Sequence, residues 1–222
     1  MLHALIARAE LGFTAETFNM HLFQQHSSMI EIYTQNLDDT LFAIAFKDQQ
    51  IVTSSFGADQ PTTLNNVLGN LPFNVAFQVF HEPIAYAKNS LATLKKIYDG
   101  KAADINLPLA TSQLPAYTKK VLQTTSAIPL GYVTSYGLIS KAVGGGPRAV
   151  GNIMAGNPFA PIVPCHRVVR ADFSLGGYGF GLKAKIRLLS KEKRVFSCSK
   201  QIEVDGEDLM VFPVECVLKN FA

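Results

Sequence analysis

The run Gly144-Gly145-Gly146-Pro147 constrains this chain more than any other four residues. A glycine inside a helix costs about 1 kcal/mol against alanine, and proline is tolerated only in a helix's first turn. A helix must end before the run, and a new one can open on Pro147. Upstream, Ser135 supplies an N-cap for a short helix over Tyr136–Ala142. Downstream, Arg148–Ala155 reads as a second helix, ended by Asn157-Pro158. Helix, glycine turn, helix is the outline of a helix-turn-helix, but short helix pairs are common and the outline alone does not establish DNA binding. The second helix carries Ala149, Gly151, Ala155 and Gly156, small residues suited to lying close against another backbone, with Arg148 at its start.

The hexapeptide Pro164-Cys165-His166-Arg167-Val168-Val169 sets a thiol beside an imidazole and a guanidinium. A neighbouring base or positive charge lowers a thiol's pKa and makes it a nucleophile, so Cys165 reads as an activated cysteine. Pro161 and Pro164 restrict the residues before them to extended backbone. Phe159–Val163 is therefore expected to be extended, with Cys165 at its end and outside any helix.

The 222 residues suffice for one large domain or two small ones. Net charge is +3, unevenly spread: residues 1–110 hold 6 Lys/Arg against 10 Asp/Glu, residues 111–196 hold 12 against 2, and residues 197–222 hold 2 against 5. The basic middle suits a polyanion partner or a merely solvated surface. Three cysteines, at 165, 198 and 216, are too few for a disulfide framework, though Cys198 and Cys216 could pair. Arg8 and Glu10 interrupt any secretory signal. No apolar run approaches the roughly 18 residues of a membrane span. A soluble protein of the cytoplasm, or of the nucleus in a eukaryote, is expected, without membrane contact.

Met29–Thr34, Leu41–Lys47, Gln50–Phe56 and Val75–Phe80 read as strands, with turns at Asp38-Asp39 and Asp48-Gln49. Pro61–Leu68 reads as a short helix, and a longer one carries Ile84, Ala87, Leu91, Leu94 and Ile97 at helical spacing up to Gly100. Leu107–Pro115 connects this α+β unit to a second, which opens with a helix over Ala116–Thr124. Beyond the cysteine, Ser174–Gly181 is a glycine-rich loop without the Lys-Ser/Thr of a phosphate loop. Leu182–Phe196 reads as a basic amphipathic helix with Lys185, Leu188, Leu189 and Glu192 on one face. Glu192, the only acid between Asp172 and Glu203, is a surface ion-pair partner or the group that orients a histidine. The tail, 197–222, reads as a strand pair around Asp205-Gly206.

Taken in order, Ser135-Tyr136, Arg148-Ala149-Val150-Gly151, Gly156-Asn157-Pro158, Pro164–Val169, Gly177-Tyr178 and Lys185…Leu188-Leu189…Glu192 closely resemble the O6-alkylguanine-DNA alkyltransferases over roughly residues 115–194. The resemblance implies an α+β fold: a ribonuclease-H-like α+β domain over 1–110, then a mostly helical, winged-helix-like domain with a helix-turn-helix over 111–196. The extension 197–222 has no assigned role. It also implies a single-turnover enzyme that transfers alkyl, mainly methyl, groups from O6-alkylguanine in double-stranded DNA to Cys165 after base flipping. A monomer without cofactor is expected.

By the same resemblance His166 is the base, acting through a water; Glu192 orients it; Tyr136 donates to guanine N3; and Asn157 braces the turn before the cysteine. Arg148 is the finger that fills the gap left by the flipped base. Ser135, Ala149, Gly151 and Lys185 join it as DNA-facing residues. Val168, Tyr178, Gly179 and Phe180 form the substrate pocket. Phe180 stands where other members have glycine, so it is expected to narrow the pocket and favour methyl over benzyl. Some members bind zinc through N-terminal Cys and His; residues 1–110 hold His3, His21, His26 and His81 but no Cys, so no metal is expected. The competing readings are a lesion-binding protein without transfer, a Cys–His hydrolase and a transcription factor. Cys165 with His166 and Glu192 argues against the first. Arg148 and the basic helix pair argue against the second. A recognition helix offering only Arg148 and Asn152 to bases argues against the third.

Overall fold

A computed structural model describes residues 29–221, a mixed α+β chain with two four-stranded sheets. His3, His21 and His26 lie outside the described residues. In the first sheet β1 (Ile30–Leu37), β2 (Thr40–Lys47) and β3 (Gln50–Gly57) form an antiparallel meander. Its tight turns put Asp38, Asp48 and Gln49 at positive φ. Helix α1 (Gln60–Leu68), capped by Asp59 accepting from the Thr62 N–H at 2.8 Å, crosses to β4 (Phe77–Phe80). β4 pairs parallel with β1, giving the order β3-β2-β1-β4. β2 is buried on both faces apart from Lys47, because α1 covers one side and α2 (Ala85–Tyr98) the other. α2 turns Ala87, Leu91, Leu94 and Ile97 inward, while Ile84, just ahead of it, is exposed.

The free edge of β3 would expose unpaired backbone groups, and two later segments cover it. Ile51 exchanges hydrogen bonds with Pro108 and Ala110 of the connecting segment, both at 2.8 Å. Further along, the Ser54 N–H donates to the Pro158 carbonyl at 2.9 Å, the Thr53 hydroxyl to the same carbonyl at 2.8 Å, and the Ser54 hydroxyl to the Ala160 carbonyl at 2.9 Å. One apolar core accordingly joins Phe42, Ile44 and Leu91 to Val121, Ile139, Val150 and Phe159.

The second part begins with α3 (Ala116–Ser126) and β5 (Tyr132–Ser135). α4 (Tyr136–Val143) and α5 (Pro147–Ala155) follow, separated by the glycine turn. The Tyr117 hydroxyl, donating to the Gly144 carbonyl at 2.9 Å, braces that turn. β6 (Val168–Val169) pairs parallel with β5, matching Thr134 to Val168. α6 (Leu182–Lys191) precedes a hairpin of β7 (Lys200–Val204) and β8 (Glu207–Pro213), turning at Asp205-Gly206. β8 pairs with the other edge of β5, so the order is β6-β5-β8-β7 and the tail's strands belong to the second sheet. α7 (Glu215–Leu218) packs Val217 beneath it. No described helix is long and apolar enough to cross a membrane.

Two local expectations are corrected. Phe159–Val163 is a series of turns, closed by the Val163 N–H donating to the Phe159 carbonyl at 2.9 Å, and Cys165–Arg167 is a 3-10 helix. The three prolines limit single residues, but the donors on β3 and the Asn157 side chain dictate the path of the segment. α6 stops at Lys191, with Glu192 as its C-cap, so the helix does not reach Phe196.

Candidate active site

Cys165 lies at the floor of a cavity of about 520 Å³ whose walls include Tyr136, Arg148, Gly151, Arg170 and Gly179. Each arrives for a local reason. The β5–β6 register pairs Ser135 with Val169, and Tyr136, the first residue of α4, and Arg170 follow directly on these and line the same cavity. The Ser135 hydroxyl accepts from the Leu138 N–H at 3.1 Å and fixes the start of α4. α5 buries Val150 and Met154 and leaves Arg148, Ala149 and Ala155 exposed. Gly176 has φ +66, and a Cβ there would come within 2.8 Å of the Tyr136 hydroxyl, so only glycine lets the loop pack against that ring.

Behind the cysteine lies a buried ionic cluster. His166 Nε2 and Glu192 Oε1 are 2.8 Å apart. Arg167 donates through Nε to Oε2 at 2.9 Å and through Nη2 to Oε1 at 2.9 Å, and its Nη1 meets the Ile128 carbonyl at 2.6 Å. Burial alone would raise the Glu192 pKa, but His166 and Arg167 overcome it and hold the carboxyl at about 2. Burial lowers the His166 pKa against the opposing pull of Glu192, which favours the neutral ring at pH 7. A neutral imidazole that donates Nε2–H to a carboxylate carries its lone pair on Nδ1. That Nδ1 is buried and has no protein partner. It is the one basic atom of the cluster left available to a proton.

Burial raises the Cys165 thiol pKa, outweighing Asn157, the Lys185 charge and nearby backbone N–H groups. The guanidinium of Arg167, near it in sequence, turns away to Glu192, so the lowering charge comes from Lys185. Burial likewise raises the Tyr136 pKa, with the Cys165 charge adding to it, and keeps that phenol protonated as a donor. The Tyr178 ring stands 6.4 Å from the His166 ring, its hydroxyl buried without a protein partner.

The structure pairs His166 with Glu192, puts Cys165 in the cavity lining and sets Tyr136, Arg148, Gly151, Tyr178 and Gly179 around the same cavity. Asn157 bridges the Phe159 N–H at 3.1 Å and the Val163 carbonyl at 2.9 Å, bracing the turn before the cysteine. Four expected positions differ. Lys185 is wholly buried and donates to the carbonyls of Val168 at 2.6 Å, Leu175 at 2.5 Å and Gly177 at 3.2 Å, so it braces the glycine loop and cannot face DNA. Burial lowers its pKa to about 8. Ser135 is buried and engaged as a cap. Val168 is fully buried outside the cavity wall, its carbonyl taken by Lys185. Phe180 does not line the cavity; it stacks on Phe56 of β3 at 4.4 Å and 12°. The surface reading of Glu192 is likewise excluded by its burial. Sequence reasoning missed Arg167 as the second partner of Glu192, and Arg170 in the cavity wall; both stand within five residues of the cysteine. All three cysteines are free thiols.

The 6-O-methylguanine DNA methyltransferase DNA-binding-domain family matches residues 116–194. A probable methylated-DNA–protein-cysteine methyltransferase from Acanthamoeba polyphaga mimivirus is 41% identical over 110 residues, 48% of this chain and 72% of that protein. One from Methanothermobacter thermautotrophicus is 37% identical over 106 residues, 47% of this chain and 60% of that protein. Several further curated relatives are matched over about half their length. The crystal structure of O6-methylguanine-DNA methyltransferase from Pyrococcus kodakaraensis superimposes with a TM-score of 0.60 at 26% identity, covering 74% of this chain and 99% of that one. The Mycobacterium tuberculosis OGT in complex with DNA gives 0.60 at 25% identity, covering 73% and 93%. Sequence and fold agree, and this chain belongs to the methylated-DNA–protein-cysteine methyltransferase family.

Proposed function

We propose that this protein repairs O6-alkylguanine in double-stranded DNA by moving the alkyl group irreversibly to Cys165, once per molecule. The observation that carries the reading is the free Nδ1 of a neutral His166, held by Glu192 behind a buried thiol at the floor of an open cavity. Nδ1 takes the thiol proton through a bridging water, and the thiolate Sγ attacks the alkyl carbon. An S–C bond forms as the O6–C bond breaks, and the electron pair returns to the guanine. The Tyr136 hydroxyl donates to the ring as that charge develops. The thioether has no group placed to cleave it, so the protein is consumed.

Arg148, exposed at the start of α5 and on the cavity rim, is placed to fill the gap left by the extruded base, which offsets part of the few kcal/mol of unstacking. Ala149 and Gly151 let α5 approach the duplex closely, and the basic balance of 111–196 supplies phosphate affinity. The chain divides at the connecting segment. The meander with its parallel fourth strand supports a ribonuclease-H-like reading of 1–110. The helix pair followed by the β7–β8 hairpin supports a winged-helix-like reading of the second domain, with 197–222 completing its sheet. The protein acts as a cytoplasmic or nuclear monomer without cofactor.

Incubation with a duplex carrying O6-methylguanine, followed by intact mass measurement, tests this. One added methyl on Cys165, absent in Cys165→Ala, is expected. Repeated turnover would favour a hydrolase, and binding without mass gain a lesion-binding protein.

A further inference from the structure

Glu192 is held from a side of the molecule that the transfer reaction does not use. The end of α2, Tyr98-Asp99-Gly100, abuts the end of α6 that carries Glu192. A Cβ on Gly100 would stand 2.3 Å from the Lys191 carbonyl oxygen and 3.0 Å from the Glu192 nitrogen. Gly100 also has φ +64, so both its conformation and its contact exclude other residues. The Lys191 ammonium donates to Asp99 at 2.8 Å and lies 3.9 Å from the centre of the Tyr98 ring. Arg194 donates to the Gly100 carbonyl, and at 3.2 Å to the Lys191 carbonyl, tying the two helix ends together. Asp99 also accepts from Lys95. Lysine and arginine gathered at two helix C-termini complement both dipoles.

We propose that Asp99 and Gly100, outside the family-matched region, are positioning residues for the alkyl transfer. Resting on the function proposed above, they set where the Glu192 backbone lies and hence whether its carboxylate reaches His166. The Glu192 side chain has little slack. Its Oε1 must meet His166 at 2.8 Å while both oxygens are held by Arg167. A methyl on Gly100 has backbone, not a flexible side chain, in its way, so the α6 terminus must move. The first sheet's unit thereby gauges the proton relay of the second.

The test compares Gly100→Ala, Asp99→Asn, Lys191→Met and Lys191→Arg with wild type. Single-turnover transfer rate, DNA Kd and Tm are measured, together with the His166 Nε2–H resonance by 15N NMR. Misplacement by about 1 Å can cost up to a hundredfold in rate. Gly100→Ala is expected to slow transfer roughly 10- to 100-fold at unchanged Kd and to lose the hydrogen-bonded Nε2–H signal. Lys191→Met should slow transfer, and Lys191→Arg should restore it. Wild-type rates and an unmoved resonance in folded Gly100→Ala would overturn the inference. So would a lower Tm with no change in rate. If Gly100→Ala does not fold, the Met/Arg pair at 191 decides by the same criteria. If wild type transfers nothing yet the resonance still moves in the variants, the proposed chemistry falls and the positioning stands.

Discussion

Arg167 and His166 share one carboxylate, and that sharing decides the character of both. The guanidinium looks, from its place beside Cys165, like the activator of the thiol. Its fork instead fits the Glu192 oxygens, leaving the imidazole to receive the proton. A buried charge that loses its partner costs about 3–5 kcal/mol, so Glu192→Gln should lower the unfolding free energy by that order at pH 7. The folded Glu192 pKa is depressed to about 2 from 4.5. Its contribution is therefore full above the unfolded value and is lost as pH falls towards the folded one. The gap between wild type and Glu192→Gln should narrow steadily below about pH 4.5. Urea denaturation at neutral and acid pH measures it, and a gap independent of pH would contradict the assignment. His166 and Cys165 stand out in the hexapeptide; the partnership of Arg167 does not, because nothing local tells a guanidinium which way to turn.

The glycine loop, Ser174–Gly181, is held at both ends by other elements. Lys185 gathers three carbonyls around its ammonium, and Phe180 lies flat on Phe56. An aromatic pair of this kind adds about 0.5–1.5 kcal/mol beyond burial, enough to bias a loop made largely of glycine. The stack makes Phe180 a latch on the loop and not a wall of the pocket. Phe180→Gly and Phe56→Leu should each raise the rate with O6-benzylguanine relative to O6-methylguanine by a few-fold, the energy of the stack setting the size. Stopped-flow rates with both substrates check it. A gain for Phe180→Gly alone would return the ring to the pocket. The loop itself was plain in its composition, whereas its anchor lies in a strand more than a hundred residues earlier.

The tail binds the second sheet together. β8 pairs with β5, the Thr134 hydroxyl donates to the Met210 carbonyl at 2.7 Å, and Val214 and Val217 complete an apolar cluster with Val133 and Leu189. β5 in turn presents Ser135 and Tyr136. Removing 197–222 should therefore lower Tm by 10 °C or more, on the order of several kcal/mol for a domain of this size, and abolish transfer. Scanning calorimetry of the truncated chain checks this, and an unchanged Tm would make the tail an appendage. Strand and helix positions followed from turn chemistry and apolar spacing, since those signals are carried by neighbours in the chain. The reactive hexapeptide and the helix pair were legible in the residues themselves, and the family in the resemblance of those motifs. The buried Lys185, the carboxylate shared by His166 and Arg167, the stack on Phe56 and the seat of Gly100 against Glu192 were not. Each depends on which residue meets which across tens to a hundred positions, a matter settled by packing after the chain has folded.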